Sequence, residues 1–272
     1  MAIPYYHVDS FASELFEGNP AGVCIVSSFP ADSVMQKIAL ENRHSETAFV
    51  VARTDGDFDL RWFTPVVEDD LCGHATLASA YALWLRGHDA WPVRFHTVSG
   101  LLTVHHLHHR DHDCDHDRFE MDFPARPAVA CEHPTELLSA LGLEKAEVLR
   151  EPRDFLVVVG HADIVRNLKP DIPALAKIDM GRTGGVIVTA VGERDVDYVC
   201  RFFGPAAGID EDPGTGSIQC TLVHYWAGRT GKQTFRVRQL SARGAHMWCT
   251  LSGDRVKIAG EVKLYLQGSI NI

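Results

Sequence analysis

The chain has 272 residues, 46% of them hydrophobic, and its 26 Lys and Arg face 36 Asp and Glu, a net charge of −10. There is enough apolar material for two cores of about 100 to 150 residues each, while the acidic balance, with no basic cluster interleaved with aromatics, argues against nucleic acid and anionic membrane as partners. No run of ~18 apolar residues occurs, the first twenty residues carry Asp9, Glu14 and Glu17 where a signal peptide would be apolar, and seven scattered cysteines without a CxxC pair suit reduced thiols in a cytoplasm.

In chain order, YYHVDSF and AGVCIV read as strands around the turn EGNP at 17–20, where Gly18, Asn19 and Pro20 carry turn chemistry. Residues 31–44 read as a helix with Val34, Ile38 and Leu40 near helical spacing and Asp32 or Ser33 as its N-cap. TAFVVAR and FDLRWFT follow as strands, then a helix after Cys72. LLTVHHL and RFEMDF form a hairpin around a polar loop, with Phe119, Met121 and Phe123 on one face. The proline-bearing stretch FPARPAVACEHP reads as an interdomain linker.

Beyond it, PTELLSALGL is a helix opened by Pro134 and Thr135, FLVVVG is a buried strand, and DIPALAKID is a shorter helix. GVIVTAV and DYVCRFFGP pair as strands, and RVKIAGEVKLYLQG alternates around Gly260 as an extra hairpin that returns to the first domain.

The chain also resembles itself. FDLRWFTP at 58–65 lines up with YVCRFFGP at 198–205, an offset of 140, and AFVVARTDGD lines up with VIVTAVGERD at the same offset. Each copy runs through an acidic stretch, VVEDD or AAGIDED, into a small-residue turn, CGHAT or PGTGS, that opens an apolar helix. Two copies at so long a period describe two homologous halves rather than a solenoid, whose repeats are ~20 to 50 residues long. An active site is then expected at the seam, between two equivalent helix starts. Gly73, Gly214 and Gly216 would let backbone amides point at a small carboxylate there, since unpaired N–H groups and the macrodipole attract an anion. Either turn alone is an ordinary strand-to-helix turn, and the duplication is what favours binding. GTGS lacks the Lys of a phosphate-binding P-loop.

Four motifs, FEGNPAGV (16–23), NRHSETAFV (42–50), RWFTPVVEDDLCGHAT (61–76) and EDPGTGS (211–217), occur in an order and spacing that resemble the PhzF-like phenazine-biosynthesis isomerases across essentially the whole chain. That family shares the duplicated fold of diaminopimelate epimerase. The resemblance implies an α/β (α+β) protein of two similar domains, 1–127 and 128–257, with 258–272 completing the first. Each would be a curved, mainly antiparallel sheet wrapped around a central helix.

It implies Glu46 as the general acid/base that takes a proton from one substrate carbon and returns it at another. His74, Asp212 and Ser217 would line the site and hold or orient the substrate, and Asn19, Ser45, Gly73 and Gly216 would contact it. The family needs no metal, flavin or nicotinamide; its type reaction isomerises a dihydro-hydroxyanthranilate, and its members are expected to form homodimers. A base that removes a proton from carbon at neutral pH needs a raised pKa and a dry pocket, and burial of Glu46 at the start of a sheet would supply both. One chain shows no phenazine operon, so the substrate stays open. A one-base racemase, epimerase or dehydratase of an amino or imino acid is the enzyme alternative, and a carboxylate-binding protein without turnover is the non-enzyme one.

The epimerase and racemase branch uses two facing cysteines, one per small-residue turn. Here Cys72 stands at the first and Pro213 at the second, which excludes a two-cysteine racemase. Cys72 reads as a small buried residue of the site, with a lowered pKa at a helix N-terminus as the competing view. His74 reads as a packing or capping residue unless Asp212 meets it and tunes its protonation. Cys72 and His74, two residues apart at a turn, are expected to diverge, which argues against a cysteine hydrolase. The tract HHLHHRDHDCDHDR (105–118) holds metal-ligating residue types without fixed spacing and reads as a solvated loop rather than a metal site.

Overall fold

The computed structural model describes residues 2–111, 114–181 and 184–272; the side chains of 108–116 also lie outside the description, and with them most of the His/Asp tract. The chain divides into two units, Met1–Phe123 with Lys257–Ile272, and Pro124–Val256.

In the first unit β1 (Ala2–Ser10) pairs antiparallel with β2 (Asn19–Val26). Helix α1 (Asp32–Asn42) carries the chain across to β3 (Glu46–Ala52), which therefore runs parallel to β2, a pairing that needs a crossover. β4 (Phe58–Phe63) returns antiparallel to β3, and β5 (Glu68–Asp69) returns to β4. Helix α2 (Gly73–Leu85) is the second crossover, to β6 (Val93–Thr97) parallel to β4. β7 (Gly100–Asp111) and β8 (Cys114–Pro124) complete the run as antiparallel partners.

In the second unit β9 (Val129–Ala130) and β11 (Phe155–Val158) flank β10 (Glu147–Arg150), with α3 (Thr135–Ala140) between β9 and β10 in the chain. Two short helices, α4 (Ala162–Asn167) and α5 (Ile172–Leu175), cross to β12 (Val186–Val191), parallel to β11. β13 (Tyr198–Gly204) is antiparallel to β12, and β14 (Ile209–Asp212) follows through a 3₁₀ turn at Pro205–Ala207. Helix α6 (Gln219–Thr230) crosses to β15 (Thr234–Gln239), parallel to β13, and β16 (Ala245–Ser252) closes antiparallel.

The order parallel, antiparallel, parallel, antiparallel is thus the same in β2–β3–β4–β6–β7 and β11–β12–β13–β15–β16. Each half is a mainly antiparallel sheet with two helical crossovers, the second made by its longest helix, α2 or α6.

The last segment is one strand, β17 (Arg255–Asn271), where the alternation around Gly260 suggested a hairpin. It pairs with β1 from Ala2↔Asn271 to Ser10↔Val262, with a register shift between His7 and Val8. Gly260 is required where it lies, since an added Cβ would come 2.4 Å from the Phe11 ring.

Ten of the 13 residues of α2 are buried, and the helix packs on β1, β2, β3 and β7. The small side chains of Ala75, Ala78, Ser79 and Ala82 let the strands approach, and Ser79 Oγ donates to the Ala75 carbonyl (2.6 Å) so that its hydroxyl is satisfied without water. Helix α1 departs from expectation in two respects. Its N-cap is Ala31 without a side-chain bond, because Asp32 lies in the first turn and accepts from Arg61 Nη1 (2.9 Å). Its buried face is Met35, Ile38 and Ala39, while Leu40 is 52% exposed; the stripe is rotated because β3 covers only that side.

The expected loop of the His/Asp tract is largely strand backbone, in register from Val104↔Met121 to Asp111↔Cys114. Among its described side chains, His106 is packed in, stacked on Phe119 (4.8 Å, 9°) with Nε2 2.8 Å from Asp117 Oδ1. That histidine is an aromatic core member bonded to a carboxylate, His105 beside it is exposed, and the side chains of 108–116, which hold most of the candidate ligands, fall outside the description.

Candidate active site

In the first unit three neighbouring chain segments deliver polar groups to one buried spot. The turn ending in Gly18 has φ +69°, and a Cβ there would meet the Ser10 carbonyl oxygen at 2.2 Å, so only glycine allows the chain to enter β2 at Asn19. Asn19 is fully buried. Glu46 is the first residue of β3, level with Ala21 of the parallel β2, and is 5% exposed. It is placed by the end of α1, where Arg43 adopts a left-handed conformation and Asn42 Nδ2 donates to Thr47 Oγ1 (3.1 Å). Ser45, just before it, is half-buried. Cys72 is the extended N-cap residue of α2, Gly73 its first helical residue, and His74 follows with its carbonyl accepting from Ser10 Oγ (2.8 Å).

His74 is the hub of this half. Its Nε2 lies 3.2 Å from Glu46 Oε2, with both side chains more than nine-tenths buried. Its Nδ1 lies 3.1 Å from Asn19 Nδ2 and 3.5 Å from Cys72 Sγ. With the amide nitrogen of Asn19 on Nδ1, a neutral imidazole would accept there and carry its proton on Nε2, the nitrogen nearer Glu46. Cys72 and His74 therefore converge, contrary to the expected divergence, because the extended Cys72 backbone turns its Sγ back over the first turn of α2.

Glu46, Cys72 and His74 also present ligand atoms within 4.8 Å of one another. The thiol and the carboxylate approach opposite ring nitrogens, whereas a chelate would need both on the side of a single nitrogen. The arrangement matches a chain of proton-bearing groups better than a metal cage. The other His/acid group, Asp55, Asp57 and His96, is half-exposed and laced with Arg53 and Arg94.

In the second unit Asp212 ends β14 and is 5% exposed. Its Oδ2 accepts from the Thr215 hydroxyl. The turn that follows is braced by Gln239, whose Nε2 donates to the Asp212 carbonyl (2.6 Å) and whose Oε1 accepts from Thr215 N (2.8 Å). Gln219 Nε2 donates to the Thr215 carbonyl (3.2 Å), and Gln219 Oε1 accepts from Tyr198 Oη (2.7 Å). Gly216 and Ser217 are buried in this turn. Helix α6 starts only at Gln219, with Ile218 as its N-cap. PGTGS is thus a braced loop ahead of the helix, whereas Gly73 opens α2 at once; the two helix starts are not equivalent.

Thr215, Gln219, Gln239 and Ser10 escaped the sequence reading. Gln219 interrupts an apolar helix start and could have been flagged as a buried polar residue; Gln239, in a polar strand end, carried no signal. The thiols of Cys24 and Cys200 are pushed up to about 12 by burial, and that of Cys220 to about 11, which leaves them protonated and inert.

Fold and site define an α+β protein of two like halves, one bearing a buried carboxylate–imidazole pair and the other a braced aspartate turn. The chain belongs to the phenazine biosynthesis-like family: the PhzC-PhzF family model matches residues 8–268. An uncharacterized isomerase of Pseudomonas aeruginosa is 45% identical over 273 residues, covering 100% of both chains. Among solved structures, a phenazine biosynthesis protein of the PhzF family from Enterococcus faecalis superposes with a TM-score of 0.89 at 38% identity, again over 100% of each chain. A predicted epimerase from Pseudomonas aeruginosa shares the fold with a TM-score of 0.77 at 23% identity, over 98% of this chain and 99% of that one. Homologues named isomerases place this chain in an isomerase family. No helix among the described residues is long and apolar enough to cross a membrane.

Proposed function

We propose that this protein is a cofactor-independent isomerase that shifts a proton along a small unsaturated or amino carboxylic acid, with Glu46 as the general acid/base. The observation that carries this reading is the Glu46–His74 contact of 3.2 Å between two side chains screened from water. A carboxylate in such a place can accept a proton from carbon and hold it, and the neighbouring Nε2–H stabilises the carboxylate between the two transfers. Asn19 and Cys72 keep Nδ1 as an acceptor and thereby keep the imidazole in the tautomer that faces Glu46.

The substrate carboxylate is assigned to the amides at the start of α2, around Gly73, with Ser45 and Asn19 as further contacts. Asp212, Gly216 and Ser217 are proposed to serve the same molecule. The protein is further proposed to work as a cytoplasmic homodimer.

The thiol 3.5 Å from His74 favours one alternative, a one-base racemase or epimerase in which Cys72 exchanges the proton. The deciding experiment is mass spectrometry of a panel of small carboxylates, including dihydro-hydroxyanthranilate and several amino acids, incubated in D₂O with the protein. Deuterium incorporation by the wild type, lost in Glu46→Gln and kept in Cys72→Ser, is expected. Loss in Cys72→Ser with retention in Glu46→Gln would replace the isomerase by the one-base racemase, and no exchange into any compound would favour a binding protein.

A further inference from the structure

We propose that the edge of β17 over Leu266–Asn271, with the adjoining loop that carries Leu15 and Phe16, is the surface through which two copies of this chain pair, strand against strand and antiparallel. The inference rests on the homodimer proposed above and names its surface. All the residues concerned belong to the first unit.

Strand β17 changes character along its length. Its first part has β8 beside it, where Lys257 reaches Glu120 (3.6 Å) and Arg118 reaches Glu261 (3.8 Å). Beyond the register shift at Tyr265 the strand continues regularly along β1, from His7↔Leu266 to Ala2↔Asn271. Here Tyr265, Leu266, Gln267, Gly268 and Ser269 are all exposed. A strand with one covered face alternates between buried and exposed residues, so an unbroken exposed run marks a sheet edge that faces solvent. Monomeric proteins guard such edges with charge, proline or a bulge, because edge N–H and C=O groups recruit another strand. The stretch Leu266–Asn271 holds neither charge nor proline, and the register shift lies ahead of it.

An apolar patch adjoins the edge. Phe16 is 66% exposed, Tyr265 50%, and Leu15 and Leu266 46% each. The Phe16 ring meets Tyr265 edge-on (5.9 Å), and Tyr265 meets His7 (4.7 Å), the residue opposite Leu266. That contiguity sets the patch apart from apolar residues scattered singly over a surface. Phe16 is held in it at φ +74°, a left-handed conformation that a bulky residue adopts only at a cost. The strained backbone thus displays an aromatic ring rather than burying it.

A second copy of the chain fits both features. Two identical strands related by a two-fold axis run antiparallel, so each offers the donors and acceptors that the other's edge requires. Because Leu266–Asn271 is uncharged, self-pairing opposes no like charges, whereas two chains of net charge −10 repel one another over the rest of their surfaces. The loop in the patch continues through Gly18 into Asn19, so the partner also steadies the turn that brings Asn19 to His74.

The test is sedimentation velocity of the full chain at ~0.15 M salt, as wild type, as the F16E/L266E double variant and as V98E, which puts the same charge on a residue that is 79% exposed in the turn between β6 and β7. The wild type and V98E are expected to dimerise, and F16E/L266E to associate about 30-fold or more weakly with an unchanged circular dichroism spectrum. Hydrogen exchange of the wild type needs no variant: amides at 16–18 and 266–271 should exchange more slowly at dimer concentration than after dilution to monomer. A dimer that survives F16E/L266E, weakens equally in V98E, or exchanges freely at 266–271 would overturn this surface while leaving the homodimer in place. A wild type that stays monomeric would overturn both. Free exchange at 16–18 alone would remove the loop from the interface.

Discussion

The two halves share a backbone plan and differ in what they do with it. Arg61 forks onto Glu68 (2.7 and 2.8 Å) and lies over the Phe63 ring, and its repeat mate Arg201 forks onto Glu211 (2.6 and 2.8 Å) over Phe203. That ion pair fastens the β4–β5 and β13–β14 returns in the same way. The helices then diverge: α2 is buried nearly all round, whereas α6 keeps seven of its 12 residues buried and leaves His224, Gly228 and Arg229 in solvent. The first half places its polar groups at the helix start itself; the second builds a glutamine-braced loop ahead of the helix. A duplicated fold conserves the strands that make the core, because those contacts are shared along the whole sheet. Its small-residue turns carry little of the core and are free to specialise.

The division of labour can be broken most directly at Glu46. Glu46→Gln should lower kcat by about 10²- to 10⁴-fold, the usual weight of a general acid/base, with the melting temperature little changed; steady-state kinetics on the compound that exchanges in D₂O measures it. Retention of wild-type kcat would remove Glu46 from the chemistry.

Burial of α2 is tested by Leu77→Ala, expected to cost about 2 to 5 kcal/mol by urea unfolding, since Leu77 is fully buried. For the braced loop, Gln239→Leu leaves Thr215 N–H without its acceptor and should cost about 1 to 3 kcal/mol; a cost near zero would mean that the loop relaxes freely and that the brace is not needed.

A pH effect also belongs to the second half. Burial, aided by the Glu151 carboxylate and opposed by Arg153, raises the Asp154 carboxyl to about 7. A carboxyl whose native pKa is raised is favoured protonated, so its contribution to stability is complete below about pH 4 and is lost as pH rises through about 7. Asp154→Asn keeps an acceptor for Gly185 N–H (2.8 Å) and should flatten the stability decline over that window; an unchanged slope of melting temperature against pH would assign the decline elsewhere. The smallest effect is expected on the solvent side of α6. An added Cβ at Gly228 meets nothing within 4 Å, so Gly228→Ala should stabilise by about 0.4 to 1 kcal/mol, read as a rise in thermal midpoint.

Much of the architecture was legible because periodicity and punctuation act locally. The Phe119, Met121 and Phe123 alternation became a fully buried strand face, and Pro134 and Thr135 did open α3. Where local signals misled, a tertiary contact decided. Asp32 looks like an N-cap, but the Arg61 guanidinium takes its carboxylate. The tract around His106 looks solvated, but Phe119 lies parallel to the His106 ring.

Sequence by itself determined the duplication, the family and the set of residue types at the small-residue turns, since repeats and motifs are properties of chain order. Tertiary structure alone decided that Cys72 and Asn19 meet one nitrogen of His74 while Glu46 meets the other, and that Gln239 and Gln219 brace the Asp212 turn. Those contacts join segments up to 55 positions apart in the first half and 27 in the second. The direction of a side chain across such a gap is set by sheet register and helix packing, which no local pattern encodes.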